Sequence, residues 1–289
     1  MNHAAAQIDA PRTGEEAIRN LCYPGLHYRN RYYFDSLPVY QRMVNLAFHH
    51  GSKNILELGA GLSTALWAKY ASRTYAKITT IDADFDPMWS YADSPEIQAL
   101  VQDHVLLHQG VTISSAQLHE FYTNEHDVFG TVPAAAIAEH LDAFTKLAPQ
   151  ARMDRLADAV GSARNTRDIF ISDDGALHFP MPLLDKLSHT GRFERDVAFL
   201  EKHPIAPLDA DQSWDLIFFD SGEYSSNVEW LALKDRVTVG GLAAFHDIFF
   251  PKSMKNFLVC AAICADPNWQ VVLLDDSTIQ GLLIAQRIR

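Results

Sequence analysis

Short apolar runs and longer amphipathic stretches alternate along most of the chain, the pattern of a parallel sheet whose strands are joined by helices. The runs Ile55 to Leu58, Lys77 to Asp82, Val105 to His108 and Trp214 to Ser221 predict strands. The last is apolar without alternation, as expected of a strand covered on both faces, and ends in Asp220. Leu242 to Phe245 predicts another, which Gly240 and Gly241 turn the chain into and which ends at His246 and Asp247. Helical stretches fall between: Pro38 to Phe48 with Gly51 closing it, one running through Ala65 to Lys69, Pro87 to Asp103, Ser226 to Val237 and Ser253 to Ala265. Trp269 to Leu274 and Gln280 to Ile288, joined by a short polar loop, predict a closing hairpin.

The alternation breaks in two places. Residues 1 to 50 read as an N-terminal cap: small and polar to residue 12, a capping-box spacing at Thr13 and Glu16, then an aromatic segment with Tyr23, Tyr28, Tyr32 and Phe34. Those rings suit packing on the core, or the wall of a substrate pocket. From about 125 to 207 an insert interrupts the main domain of residues 51 to 289. It predicts helices at Pro133 to Leu147 and Pro149 to Val160 and a hairpin over Asp168 to Phe179, turning at Asp174-Gly175. An insert of this length suits a lid or an oligomer contact, so a homo-oligomer is one expectation. Val197 to Leu200 is a second candidate for the third strand.

Composition narrows the class. Apolar content of 48% and charged content of 21% describe a globular chain that can bury a core. A formal net charge of −12 gives no footprint for a nucleic acid or an anionic membrane. No apolar run reaches membrane-spanning length, and Met1 to Glu16 lacks the layout of a secretion signal. Three cysteines are too few for a disulfide framework, and Cys260 and Cys264 read as a buried pair on one helix face. A cytoplasmic enzyme or binding protein is the resulting expectation.

The densest chemistry lies in Asn54 to Thr64, a strand, a glycine-rich turn and a helix start. Gly59 and Gly61 let the backbone turn sharply and let a ligand approach, and Ser63 or Thr64 can cap the helix. A nicotinamide fingerprint has a third glycine where Thr64 stands. Glu57 beside the turn would repel a pyrophosphate and suit a cationic amino-acid group. Asp82 lies near the ~20-residue separation of an acid that grips ribose hydroxyls, with Asp84 and Asp86 as neighbouring candidates.

The Glu-x-Gly-x-Gly pattern at Glu57, Gly59 and Gly61 resembles the first motif of the class I S-adenosylmethionine-dependent methyltransferases. From about Lys53 to the end, apart from the insert, the chain resembles that family. The resemblance implies an α/β, doubly wound, Rossmann-like seven-stranded sheet with a C-terminal antiparallel hairpin. It implies S-adenosylmethionine as cofactor, held by Glu57, Gly59, Ala60, Gly61, Ser63 and Thr64, with Asp82 and Asp220. The strand ends Phe-Phe-Asp-Ser and Phe-His-Asp-Ile look like small-molecule O-methyltransferases. In the metal-dependent catechol type, an acid after the fourth strand and an Asp-Asn pair after the fifth bind magnesium. By position, Asp220 matches the first acid, His246 the Asp and Asp247 the Asn.

A histidine in that set shifts preference from magnesium toward softer divalent ions. It equally fits a metal-free site, with His246 as general base oriented by Asp247 or Asp220, or a plain helix cap. Two other readings stand beside O-methylation: an aminopropyl or other transferase using a related sulfonium donor, and a non-catalytic binding or assembly protein of the same fold.

Overall fold

The computed structural model describes residues 37–91, 94–123, 192–222, 224–248, 255–256, 259–260, 263, 266–275 and 281–289. Its described elements are α1 (Leu37–His50), β1 (Asn54–Leu58), α2 (Leu62–Thr74), β2 (Lys77–Asp82), α3 (Asp86–Tyr91), α4 (Pro95–His104), β3 (Val105–Gln109), α5 (Ser115–Thr123), α6 (Arg192–Lys202), β4 (Trp214–Phe219), α7 (Ser225–Leu233), β5 (Val237–His246), β6 (Trp269–Asp275) and β7 (Leu282–Arg287). A short 3-10 turn, Lys234–Arg236, joins α7 to β5.

The strands form one seven-stranded sheet in the order β3-β2-β1-β4-β5-β7-β6. Pairing is parallel from β3 across to β5, while β7 runs antiparallel to both β5 and β6. This is the doubly wound sheet with a closing hairpin that the alternation predicts. Period-two side-chain alternation sorts its apolar residues into two cores. Ile55, Ile78, Leu216, Phe218 and Ala244 pack under α1, α2 and α4 on one face. Leu56, Leu58, Ile217, Phe219 and Phe245 pack under α7 and the helical residues Val259, Cys260 and Ile263 on the other. Both faces are covered, which is why β1 and β4 read as continuous apolar runs.

The order of the strands reverses at β1, which pairs with both β2 and β4. Chains leaving neighbouring strands there diverge to opposite faces and open a crevice beyond the carboxyl ends. α1 contributes a stripe at helical spacing, Leu37, Tyr40, Val44 and Ala47, to the first core.

Three expectations change. The third strand lies before the insert, at Val105–Gln109, and Val197 to Leu200 is helical within α6. Asp196, Phe199 and Leu200 there fall at i, i+3 and i+4, the spacing of one helix face. The stretch Pro87 to Asp103 is two helices rather than one. Gly240 and Gly241 do not precede β5 but lie inside it, at an irregularity where the pairing with β4 shifts between Trp214 and Leu216. Gly240 takes a φ of +87° there, a conformation glycine adopts without steric cost.

The aromatic segment before residue 37, the paired helices within 133–160, the hairpin of 168–179 and Cys264 lie outside the described residues. Cys260 is buried. Among the described residues no helix is long and apolar enough to cross a membrane.

Candidate active site

The turn after β1 is built on close backbone approach. Gly59 has a φ of +93°, and a Cβ there would lie 2.2 Å from the main-chain oxygen of Asp220. Its N–H donates to the Ile81 carbonyl at 2.9 Å, while Asp220 N–H donates to Leu58 O at 2.9 Å. One glycine thus pulls the ends of β1, β2 and β4 together. α2 begins with Gly61 as its N-cap residue, so Ser63 and Thr64 lie inside the first turn rather than capping it. Thr64 reaches back instead: its Oγ1 accepts from Gly61 N–H at 3.0 Å.

Glu57 is fully buried beneath this turn. Its Oε2 accepts from Thr64 Oγ1 at 2.8 Å and from Thr80 Oγ1 at 2.7 Å. Oε1 has no partner among the described residues. Burial drives the carboxyl pKa up to about 7, although the hydroxyls of Ser63, Thr80 and Thr64 pull against it. A buried, half-satisfied carboxylate costs stability and therefore calls for a cationic partner.

A cavity of about 310 Å³ opens beside the turn at the switch point. Gly59, Ala60, Asp82 and Asp220 line it, whereas Glu57, Ser63 and Thr64 are packed behind. Asp82 Oδ2 accepts from Ala60 N–H at 2.6 Å, and Oδ1 from Asp84 N–H at 3.0 Å. Burial raises the Asp82 pKa against those backbone hydrogen bonds. Asp84 and Asp86 are not among the lining residues, so Asp82 is the acid of this loop that faces the cavity.

Two more acids in the lining escaped sequence reasoning: Asp196 from α6 and Glu229 from α7. Glu229 is buried, and takes very short hydrogen bonds from the hydroxyls of Thr112 and Ser221. Its pKa is raised by burial, with the Ser221 and Thr112 hydroxyls opposing. Among the described residues lining the cavity are four carboxyl side chains and no Lys, Arg or His.

Behind Asp220 lies a charged cluster. Asp220 follows β4, while His246 ends β5 and Asp247 follows it. His246 is buried, with Nδ1 3.3 Å from Asp220 Oδ1 and 3.5 Å from Asp247 Oδ2. Asp247 takes a φ of +59°, which swings its carboxylate back to the histidine. Burial disfavours the imidazolium, but the Asp247 and Asp220 charges outweigh it and hold the His246 pKa up at about 9. Burial also pushes the two carboxyls up, and His246 and Lys255 together bring both below the ordinary value. The other ring nitrogen, Nε2, is buried without a protein partner among the described residues.

Two members of this cluster were not foreseen. The Tyr40 hydroxyl donates to Asp220 Oδ2 at 3.0 Å and lies 3.2 Å from His246 Nδ1. Lys255 Nζ donates to Asp220 Oδ1 at 2.6 Å and approaches Asp247 Oδ2 at 3.4 Å. Asp220, His246 and Asp247 each offer a ligand atom within 4.8 Å of the others, the geometry a metal ion would need. A lysine ammonium already lies against two of those three donors, and a second cation there would repel it.

No family model matches the chain, and no curated protein matches its sequence. Among solved structures, an O-methyltransferase from Bacillus cereus in complex with SAH is 13% identical, over 98% of this chain and 93% of that one, with a TM-score of 0.45. The O-methyltransferase TomG from Streptomyces achromogenes, in complex with SAM, is 12% identical over 96% and 88%, at 0.43. An rRNA methylase from Streptococcus thermophilus is 10% identical over 82% and 88%, at 0.35. Likeness this distant assigns neither substrate nor mechanism; those rest on the geometry above.

Proposed function

We propose that this chain is an S-adenosylmethionine-dependent methyltransferase that methylates a hydroxyl group of a small molecule. The observation that carries the reading is the cavity at the switch point: among the described residues, four carboxyl groups and no Lys, Arg or His line it. A phosphorylated nucleotide would be disfavoured beside those carboxyls, whereas a nucleoside bearing cationic groups would find partners. When bound, S-adenosylmethionine supplies a methyl group already activated by its sulfonium. Asp82 is assigned to the ribose hydroxyls, and Gly59 and Ala60 to the backbone edge along which the ligand lies. Glu57, through Oε1, which has no partner among the described residues, is assigned to the ammonium of the amino-acid end.

The chain's own chemical task is to hold the acceptor and take its proton. His246 is assigned as the base, accepting the hydroxyl proton at Nε2 while Nδ1 faces Asp220 and Asp247. The two carboxylates make it a stronger base than a free imidazole, and Tyr40 fixes the carboxylate that orients it. With its pKa at about 9, only about 1% of it is neutral at pH 7, so proton removal gains from alkaline conditions. A divalent ion does not suit the cluster with Lys255 in place, and no step depends on one.

The test is transfer of labelled methyl groups from S-adenosylmethionine to a panel of phenols, catechols and hydroxylated aliphatic compounds. The reading expects at least one acceptor to be labelled and His246→Ala to abolish the labelling. Turnover with only the decarboxylated donor, or transfer indifferent to His246, would contradict it.

A further inference from the structure

The charged cluster behind Asp220 contains a cation whose role the assignments above leave open. Lys255 is buried, its side chain only 9% exposed, so its charge must be matched locally. Three acceptors lie around Nζ: Asp220 Oδ1 at 2.6 Å, the Asp220 main-chain oxygen at 2.8 Å and Asp247 Oδ2 at 3.4 Å. An ammonium has three N–H donors, and these acceptors among the described residues suffice for them.

The next residue holds it there. Asn256 is fully buried, and its Nδ2 donates to Phe219 O at 3.1 Å and to His246 O at 2.6 Å. Those carbonyls end β4 and β5, the strands that deliver Asp220 and His246. The lysine is therefore fixed to the strand ends whose charges it meets.

We propose that the Lys255 ammonium is the resident cation of this site, standing between Asp220 and Asp247 where a divalent ion would otherwise bridge them. It acts as a positioning residue: it holds both carboxylates, and they in turn hold His246. The ammonium meets both carboxylates directly, at 2.6 Å from Asp220 Oδ1 and 3.4 Å from Asp247 Oδ2. A divalent ion taken up by Asp220, His246 and Asp247 would share the Asp220 carboxylate with the ammonium, and three positive charges would crowd it. Binding an ion thus requires Lys255 to leave a buried site where it is already paired.

The proposal concerns cation content and does not depend on methyl transfer. It is tested by titrating the full chain with manganese(II), reading free ion by electron paramagnetic resonance. Wild type is expected to bind none up to millimolar ion. Lys255→Met, which keeps the length of the stem and removes the charge, is expected to gain a site at least about tenfold tighter than any in wild type. His246→Ala in that background is expected to remove it. Micromolar binding by wild type that Asp220→Asn abolishes would overturn the proposal, whether or not the lysine variant folds. Two silent proteins would overturn it as well, because the donor set would then be no cation site at all. Where Lys255→Met is too unstable for the titration, thermal melting decides: a rise with manganese(II) supports the proposal, and no rise refutes it. Binding of S-adenosylhomocysteine, measured on wild type alone, shows separately whether the cofactor assignment stands.

Discussion

Glu57 is a carboxylate the fold would be more stable without at neutral and alkaline pH. It is fully buried, one oxygen is satisfied by two threonine hydroxyls, and the other has no partner among the described residues. Raising its pKa from 4.5 to about 7 corresponds to about 3 kcal/mol between its protonation states. Between those pH values the folded chain keeps a proton that the unfolded chain has released. Stability therefore falls as pH rises through this window and levels off above it. Glu57→Gln keeps an oxygen for Thr64 and Thr80 and cannot ionise. Its amide nitrogen carries a pH-independent cost of about 1–3 kcal/mol if it stays unpartnered.

The informative quantity is the stability of Glu57→Gln minus that of wild type, compared between pH 5 and pH 8. His246 and Asp247 are common to both chains and cancel. The difference should favour the variant by about 3 kcal/mol more at pH 8 than at pH 5, several degrees in the thermal midpoint. S-adenosylhomocysteine, which carries the ammonium, should bind the variant about 10–100-fold more weakly, the loss of a charged hydrogen bond. Melting curves at both pH values, with calorimetric titration at pH 8, supply both numbers. A pH-independent difference, or one of opposite sign, would refute the burial argument. Unweakened binding would refute the ammonium assignment.

Gly59→Ala places a Cβ 2.2 Å from the Asp220 carbonyl oxygen at a φ of +93°. It should cost more than about 3 kcal/mol in denaturant unfolding, and a near-native midpoint would show that the strand ends can part. The rate of methyl transfer should rise with pH toward a midpoint near 9 as His246 loses its proton, and a plateau from pH 6 upward would exclude it as the base. Because that folded pKa exceeds the ordinary 6.5, the stability contributed by the imidazolium is full below 6.5 and lost as pH rises through about 9. Tyr40→Phe removes the donor to Asp220 Oδ2, which should cost about 1 kcal/mol and move the midpoint of the pH–rate profile upward. An unmoved midpoint with an unchanged melt would show the hydroxyl to be idle.

The parts of the site legible in the sequence are those that end apolar runs. Gly59 and Asp220 follow, and Asp82 and His246 end, strands whose burial makes them readable, and strand ends in such a sheet converge. The parts that were not legible reach the site from elsewhere. Tyr40 belongs to an amphipathic stripe in which an aromatic ring looks like ordinary core, and its partner Asp220 is 180 residues away. Lys255 follows the end of β5 at His246 by nine residues, and nothing local says that its stem turns inward. Glu229 sits on α7, whose buried face includes Ser226, Asn227 and Glu229, so a polar residue there carries no outward sign of burial. The location of the third strand was ambiguous because Val197, Phe199 and Leu200 satisfy a strand run and a helix face alike. The pairing of Val105–Gln109 with β2 separates the two.

The central claim is that the switch-point cavity accepts a nucleoside with cationic groups and rejects a phosphorylated one. Calorimetric titration of the purified chain with S-adenosylhomocysteine and, separately, with ATP tests it most directly. The account predicts micromolar binding of S-adenosylhomocysteine, weakened by Asp82→Ala, and no heat with ATP. Binding of ATP, with no binding of S-adenosylhomocysteine at millimolar concentration, would contradict it.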